Sequence, residues 1–202
     1  MNDYKSCKAR AKEVIKPQMG TLVLCFLIAY FAPMAVNAIP VIGQFASVFV
    51  LPILVLGSAI VYLNLIKGVA PDIKMLFEGF TKEHWLNVFL LNFMVGIYLL
   101  LWSCLFIIPG YIKGLSYSMA TYIMAENRDI KYSDAINQSK AMMEGHKMEL
   151  FKLQLSFIGW ALLTIVTAGI AILYVSPYMN AAMAYFYQEL KAKQGITPII
   201  EG

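Results

Sequence analysis

Residues that could support chemistry are few in this sequence, and they form no recognised pattern. A zinc site needs several His, Cys or carboxylate ligands, but the only two histidines, His84 and His146, lie far apart, and neither has a second His or Cys at i+3 or i+4. The sequence contains no glycine-rich phosphate loop, no G-x-S-x-G elbow and no H-E-x-x-H segment. We therefore predict no catalytic residue, no metal ligand and no cofactor, and we expect the protein not to be an enzyme.

The scarcity of charge indicates which solvent surrounds the chain. Of the 202 residues, 14% are charged and 60% are hydrophobic, whereas about a quarter of the residues in a soluble domain are charged. So few charges cannot cover the surface of a water-soluble protein of this length, and lipid must cover part of it. We therefore predict an all-α integral membrane protein, built as a polytopic bundle of transmembrane helices.

Three long runs with almost no charge set the number of crossings. Residues 18–66 and 153–188 contain no charged residue, and 84–125 contain only Lys113. Each run is too long for one span of about 20 residues and long enough for two. The sequence therefore predicts six spans, arranged as three helical hairpins, at about 20–39, 44–66, 85–108, 111–125, 150–169 and 171–190.

The turns between paired spans are marked by glycine and proline. Pro109-Gly110 predicts the turn between spans three and four. The last turn has two candidates, but a turn at Pro177 would leave about 13 residues for span six, too few to cross the bilayer. We therefore place that turn near Gly169 and expect Pro177 to kink span six. Span four is short and rich in Tyr and Ser, so we expect it to face protein.

Basic residues set the orientation. With six spans and the N-terminus inside, 15 of the 16 Lys and Arg residues lie on the cytoplasmic side, as the positive-inside rule requires. Four crossings would also place both termini inside, so the charge bias fixes the orientation better than the number of crossings.

A signal peptide cleaved near Ala38 is the competing interpretation of the N-terminus. The charged leader up to Lys16 and the apolar stretch that continues to Ile66 disfavour it.

The segments between the hairpins predict an inner surface. Residues 1–19 form a basic interfacial segment, 67–84 and 126–149 are cytoplasmic, and 195–202 form a loose tail. The cytoplasmic segments contain short amphipathic helices; the one at 71–80 either lies in the membrane plane, which we favour, or plugs a cavity. We expect this surface to contact anionic lipid headgroups or protein partners, and not nucleic acid. The residues expected to make the contact are Phe77, Phe80, Ile136, Met142 and Met143.

Uncharged polar side chains within the spans leave a second function open. They could line a path for a small solute, which would make the protein a transporter or channel. They could instead form hydrogen bonds between helices, which is the interpretation we favour. No carboxylate lies well inside a span, and this disfavours proton-coupled transport. The residues of the candidate path are Asn64, Asn92, Ser116, Tyr117, Asn180 and Tyr185.

Several short segments from Phe77 onward form a distinctive set. They are Phe77-Glu78-Gly79-Phe80, Ile108-Pro109-Gly110, Tyr117-Ser118-Met119-Ala120, Tyr122, Ala125-Glu126-Asn127, Ala135-Ile136, Ser139, Met142, Gly145-His146-Lys147, Leu155-Ser156-Phe157-Ile158-Gly159-Trp160 and Pro177-Tyr178. Over about the last two-thirds of the chain, this pattern resembles the bacterial integral membrane proteins grouped as domain-of-unknown-function family 975. The resemblance implies a multi-pass protein of a bacterial cytoplasmic membrane, without established catalytic residues or an agreed ligand. Arg128 stands where family members often carry proline, so the loop there is expected to differ.

Overall fold

The computed structural model of the protein describes residues 4–37, 42–80, 85–105, 107–167 and 169–194. Every regular element among these residues is a helix, which confirms the predicted all-α class. The α-helices of the described part are α1 (Tyr4–Ile15), α2 (Met19–Asn37), α3 (Ile42–Ile66), α4 (Trp85–Leu105), α5 (Ile107–Tyr117), α6 (Ala120–Glu126), α7 (Tyr132–Met142), α8 (Lys147–Leu155), α9 (Ile158–Val166) and α10 (Ile172–Lys193). Two 3₁₀ helices cover Lys16–Gln18 and Ile73–Phe80.

Helices occupy each stretch in which the sequence predicts a span. The first, second, third and sixth stretches are the single helices α2, α3, α4 and α10, of 19, 25, 21 and 22 residues. The fourth is divided into α5 and α6, and the fifth into α8 and α9. Two helical segments, Lys5–Ala35 and Lys147–Val166, are long and apolar enough to cross a membrane, judged by length and composition.

The turn after α9 lies where the length argument places it. Gly169 has a φ of +91°, a left-handed conformation that side chains with a Cβ rarely adopt. Its amide donates a 2.8 Å hydrogen bond to the carbonyl oxygen of Thr164, which satisfies the end of α9. The predicted turn near Gly169 is therefore confirmed, and Pro177 lies inside α10 as expected.

The turn predicted at Pro109-Gly110 is wrong. α5 begins at Ile107 and contains both residues, so α4 and α5, which pack against each other, separate before Pro109. A proline in the first turn of a helix loses no hydrogen bond, because the first amides of a helix have no partner within it. The Pro-Gly pair here marks the start of a helix rather than the reversal itself.

The core of the bundle surrounds α3 and α10. α3 packs against α2, the 73–80 helix, α6 and α10, and α10 also packs against α1. Ser116, Tyr117 and Tyr122 of the fourth stretch are buried, so this part of the stretch faces protein, whereas Tyr111 and Ile112 at its start are exposed. At the N-terminus, Cys7, Ala11 and Ile15 are fully buried at a helical spacing of four residues. α1 is therefore packed into the fold rather than lying free on a surface.

The outer surface of several helices consists of exposed apolar side chains. α9 has no buried residue, and its Ile165 and Val166 expose 75% and 82% of their surfaces. Large exposed hydrophobic residues continue this band on other helices: Leu24, Tyr30, Phe31 and Met34 of α2, and Leu86, Phe93, Leu100 and Leu101 of α4.

Candidate functional site

A partly buried group of three charged residues and one tyrosine joins the ends of three helices. Both carboxylate oxygens of Glu126, the last residue of α6, accept hydrogen bonds from Lys191 Nζ of α10, at 2.8 and 2.7 Å. The hydroxyl of Tyr187 donates to Glu126 Oε2 at 2.7 Å. Lys67, just after α3, places its Nζ 3.6 Å from Glu126 Oε1. These four residues are termed the Glu126 cluster, and the end of the bundle where they lie is termed the charged end.

The surroundings of Glu126 keep its carboxylate ionised. Burial raises its pKa, but the hydrogen bonds from Lys191 and Tyr187, together with the charges of Lys191 and Lys67, outweigh burial and hold the pKa below the usual glutamate value. An ionised carboxylate that already accepts these hydrogen bonds is a poor general base at neutral pH. The arrangement is suited to holding α3, α6 and α10 together.

A second set of contacts fastens α1 at the charged end. Ser6 Oγ and Cys7 Sγ each donate to the carboxylate of Glu189 at 3.1 Å. Burial, followed by the hydrogen bond to Glu189 and its negative charge, raises the pKa of the Cys7 thiol, so the sulfur keeps its proton. The N-terminal helix is thereby tied to α10.

Lys8 ties the same helix to the corner between α8 and α9. Its Nζ donates to the carbonyl oxygen and the hydroxyl of Ser156, both at 3.1 Å. It also lies 4.4 Å from the centre of the Phe157 ring, within cation–π range. Burial lowers the pKa of Lys8.

His146 lies at the N-cap position of α8, where its side chain makes no capping hydrogen bond. Its Nδ1 is 3.2 Å from Glu149 Oε2, which also accepts a hydrogen bond from Lys193 at 2.9 Å. Burial raises the pKa of Glu149, but the hydrogen bonds with Lys193 and His146 and their charges lower it below the usual value. Among the described residues, no group of three His, Cys, Asp or Glu side chains is placed to hold a metal ion.

The 73–80 helix packs closely against the middle of α3. A Cβ atom on Gly57 would lie 2.1 Å from the carbonyl oxygen of Leu76, so only glycine permits this approach. Gly57 precedes the end of α3 by nine residues, or about 14 Å along the helix. Arg128 also forms an ion pair with Glu78. The segment therefore packs along α3, and its orientation relative to a membrane stays a prediction.

A cavity of about 200 Å³ lies beside this segment, between α2, α3 and α10. Its polar lining includes Ser58 and Tyr62 of α3 and Ser176 and Asn180 of α10, and Leu76 of the 73–80 helix also lines it. A wider apolar groove of about 430 Å³ lies between α2 and α3. The cavity and the groove share three lining residues, so they are neighbouring spaces: Ala29, Tyr30 and Ser58.

A protein-family model described as "Protein of unknown function (DUF975)" matches residues 1–113 and 105–194. The chain belongs to this family. Neither the curated proteins nor the solved structures contain a match. The DUF975 match covers more than the last two-thirds of the chain, because it also includes α1 and α2, and it contains all four residues of the Glu126 cluster.

The five residues expected to contact lipids or partners do not share one surface. Ile136, Met142 and Met143 are buried in the core, because the apolar stripe of α7 faces α4, α5 and α6 of its own chain. Phe77 exposes 46% of its surface. The side chain of Phe80 lies outside the described residues.

The six residues of the candidate polar path are also dispersed. Asn180 lines the 200 Å³ cavity, and the other five do not. Asn64 of α3 donates to Met75 Sδ of the 73–80 helix. Asn92 and Ser116 donate to carbonyl oxygens of their own helices, those of Val88 and Ile112. The Tyr117 ring lies beside Tyr98 and Lys140, and Tyr185 is buried in the core.

The Glu126 cluster contains residues that the sequence argument did not select. Lys67 ends the first uncharged run, Glu126 ends the second, and Lys191 follows shortly after the third. In a six-span topology these three run ends lie on the same side. The signal that could have found the cluster was therefore the position of each charge relative to the runs, rather than any local motif.

Proposed function

We propose that this DUF975 protein is a non-enzymatic integral membrane protein with six crossings, in the cytoplasmic membrane of a bacterium, whose inner face contacts anionic lipid headgroups. The bare apolar surface of α9 is the observation that carries the proposal. A soluble monomer rarely exposes a contiguous apolar patch larger than a few hundred Å². Lipid is the solvent that would cover α9 and the matching faces of α2 and α4.

Helix length supports the number of crossings. A helix of 20 residues is about 30 Å long, close to the thickness of the hydrocarbon layer. The single helices α2, α3, α4 and α10 have 19 to 25 residues. The fourth and fifth crossings would each consist of two shorter helices. A break between two helices is tolerated at membrane depth when the freed backbone polar groups are buried in protein or hydrogen-bonded.

The Glu126 cluster supports the orientation. Six crossings place the ends of α3, α6 and α10 on one side, and the cluster brings Lys67, Glu126 and Lys191 within ion-pair distance there. Most basic residues flank the same helix ends, so the positive-inside rule assigns the charged end to the cytoplasm.

Exposed cations at the charged end suit anionic headgroups. Arg10, Lys12 and Lys16 of the N-terminal segment are exposed, and each basic residue near an anionic surface contributes about 1 kcal/mol. The described carboxylates Glu126 and Glu189 are occupied by contacts between helices, which favours a structural role over catalysis.

Lipid composition tests this proposal. The protein is purified in mild detergent from membranes that contain phosphatidylglycerol and phosphatidylethanolamine, and native mass spectrometry measures the lipids that remain bound. We expect enrichment of phosphatidylglycerol, and a loss of that enrichment in the triple variant Arg10→Gln, Lys12→Gln, Lys16→Gln. The control Lys113→Gln removes a charge at the opposite end and should have no effect. Equal retention of both lipids by the wild-type protein would sink the proposal.

A small-solute transporter or channel is the second candidate, and the cavity beside Asn180 favours it. The cavity is polar on the side of α10, within the predicted sixth span. Proteoliposomes in a glycerol gradient should then swell faster than empty liposomes, and Asn180→Leu should slow the swelling. Identical rates with and without protein would remove this candidate.

A further inference from the structure

We propose that the cavity between α2, α3 and α10 is a binding site for a small uncharged molecule that combines a planar apolar body with a hydroxyl or amide group. The site is separate from the basic surface at the charged end. Binding there does not require the headgroup contact, and it does not require transport.

The size of the cavity suits a small organic molecule. Its volume of about 200 Å³ is several times the share of about 30 Å³ that one water molecule occupies in the liquid. The neighbouring groove between α2 and α3 is bordered by the exposed side chains of Tyr30, Met34 and Leu51. In a bilayer this groove faces the hydrocarbon, so an apolar molecule can reach the cavity sideways from the membrane.

One wall of the cavity is aromatic. The rings of Phe26 and Tyr30, one helical turn apart on α2, stack with their centres 5.9 Å apart and their planes within 22° of each other. Both residues line the cavity, together with Val61 and Leu76. Flat aromatic surfaces bind planar apolar groups well, because offset stacking adds to the gain from burial.

The remaining wall carries polar groups that can form further hydrogen bonds. Asn180 Nδ2 donates to the carbonyl oxygen of Ser176 at 2.9 Å, which leaves the Asn180 carboxamide oxygen as an acceptor. Ser58 Oγ donates to the Val55 carbonyl at 2.7 Å and keeps its own lone pairs. The hydroxyl of Tyr62 can donate or accept. A ligand with one hydroxyl or amide group can therefore bond to this wall.

The absence of charged side chains from the lining disfavours ionic ligands. The described lining residues include Cys, Ser, Tyr and Asn but no Asp, Glu, Lys, Arg or His. An ionic ligand would lose its hydration in the cavity, where no described lining side chain carries an opposite charge, and that loss is costly in an apolar environment. A fully apolar ligand would leave the polar wall without new partners. The combination of groups selects an uncharged amphipathic molecule.

The structure also explains why the cavity keeps its shape. Leu76 is fully buried and lines the cavity, and its backbone is held against α3 by the absence of a side chain at Gly57. The 73–80 helix thus forms one side of the cavity, and the adjoining lateral groove between α2 and α3 is the route of access.

Photolabelling of the full-length protein in nanodiscs tests the proposal. The probe is an uncharged benzyl alcohol that carries a photoactivatable aryl diazirine, and a matched probe lacks the hydroxyl. We expect the alcohol to label peptides that contain Tyr62 or Asn180, and excess unlabelled benzyl alcohol to displace this label. Label on α9, which faces lipid, should not be displaced.

Two variants and one control complete the test. Ala29→Trp fills the cavity and should abolish the displaceable label, whereas Ala161→Trp, on the exposed face of α9, should not change it. Asn180→Leu removes the acceptor without adding bulk, and should lower displaceable labelling about tenfold even if the tryptophan variant does not fold. Label that is never displaced would overturn the proposal. So would equal displaceable labelling by the probe without a hydroxyl.

Discussion

Lys191 Nζ lies 2.7 Å from Glu126 Oε2, although the two residues are 65 positions apart in the sequence. Tyr187, one turn before Lys191, bonds to the same carboxylate oxygen, and its ring stacks on Tyr122, one turn before Glu126. The contact between α6 and α10 is therefore both ionic and aromatic over a full helical turn. It closes the charged end of the bundle, because Lys67 of α3 joins the same carboxylate.

Removing one charge of the Glu126–Lys191 pair should destabilise the protein more than removing both charges. Glu126→Gln leaves the largely buried Lys191 ammonium without its counter-charge, and we expect the protein to lose about 3 kcal/mol of stability. The double variant Glu126→Gln, Lys191→Met removes both charges and should recover part of that loss. Thermal unfolding of the purified protein in detergent measures both effects.

The exposed Glu13 of α1 provides the control for these variants. Glu13→Gln removes the same charge from the surface, and its melting temperature should stay close to that of the wild-type protein. If Glu126→Gln were as mild as Glu13→Gln, the cluster would not contribute to the stability of the fold.

The same cluster predicts how stability depends on pH. Because the folded state holds the pKa of Glu126 below its ordinary value, its contribution is fully present above about pH 4.3. The contribution is lost as the pH falls through the lower, folded-state pKa. The difference in melting temperature between the wild-type protein and Glu126→Gln should therefore stay constant down to about pH 4.3 and shrink as the pH falls further. A difference that does not shrink below this pH would contradict the assignment.

The close approach at Gly57 predicts a specific response of the 73–80 helix. Gly57→Ala places a methyl group where the backbone of Leu76 now lies, so the segment must move away from α3. Hydrogen–deuterium exchange of residues 73–80 should become faster, while exchange in α10 changes little. Gly96→Ala is the matched control, because no atom lies within 4 Å of a Cβ at that position. Unchanged exchange in Gly57→Ala would show that the segment does not depend on this contact.

Periodicity and charge predicted the helices well, and the limits of the prediction have physical causes. Span length decided the turn near Gly169, because the bilayer thickness excludes the alternative at Pro177. The Pro109-Gly110 turn failed because proline is equally compatible with the first turn of a helix.

Amphipathic stripes were the weakest guide to the candidate site. A stripe shows that one face of a helix needs an apolar partner, but it does not identify that partner. The stripe containing Ile136 and Met142 faces its own bundle, and Leu76 of the 73–80 helix packs on α3. The Glu126 cluster escaped notice for a related reason, since its members meet only when three distant helix ends come together.

Topology tests the central claim, which is a bundle of six crossings with its charged end in the cytoplasm. Alkaline phosphatase, which is active only outside the cytoplasm, can be fused after residue 138 in α7 or after residue 170 beyond α9. The account predicts an inactive fusion at 138 and an active fusion at 170, because one crossing lies between them. An active enzyme at 138, or the same activity at both positions, would contradict it.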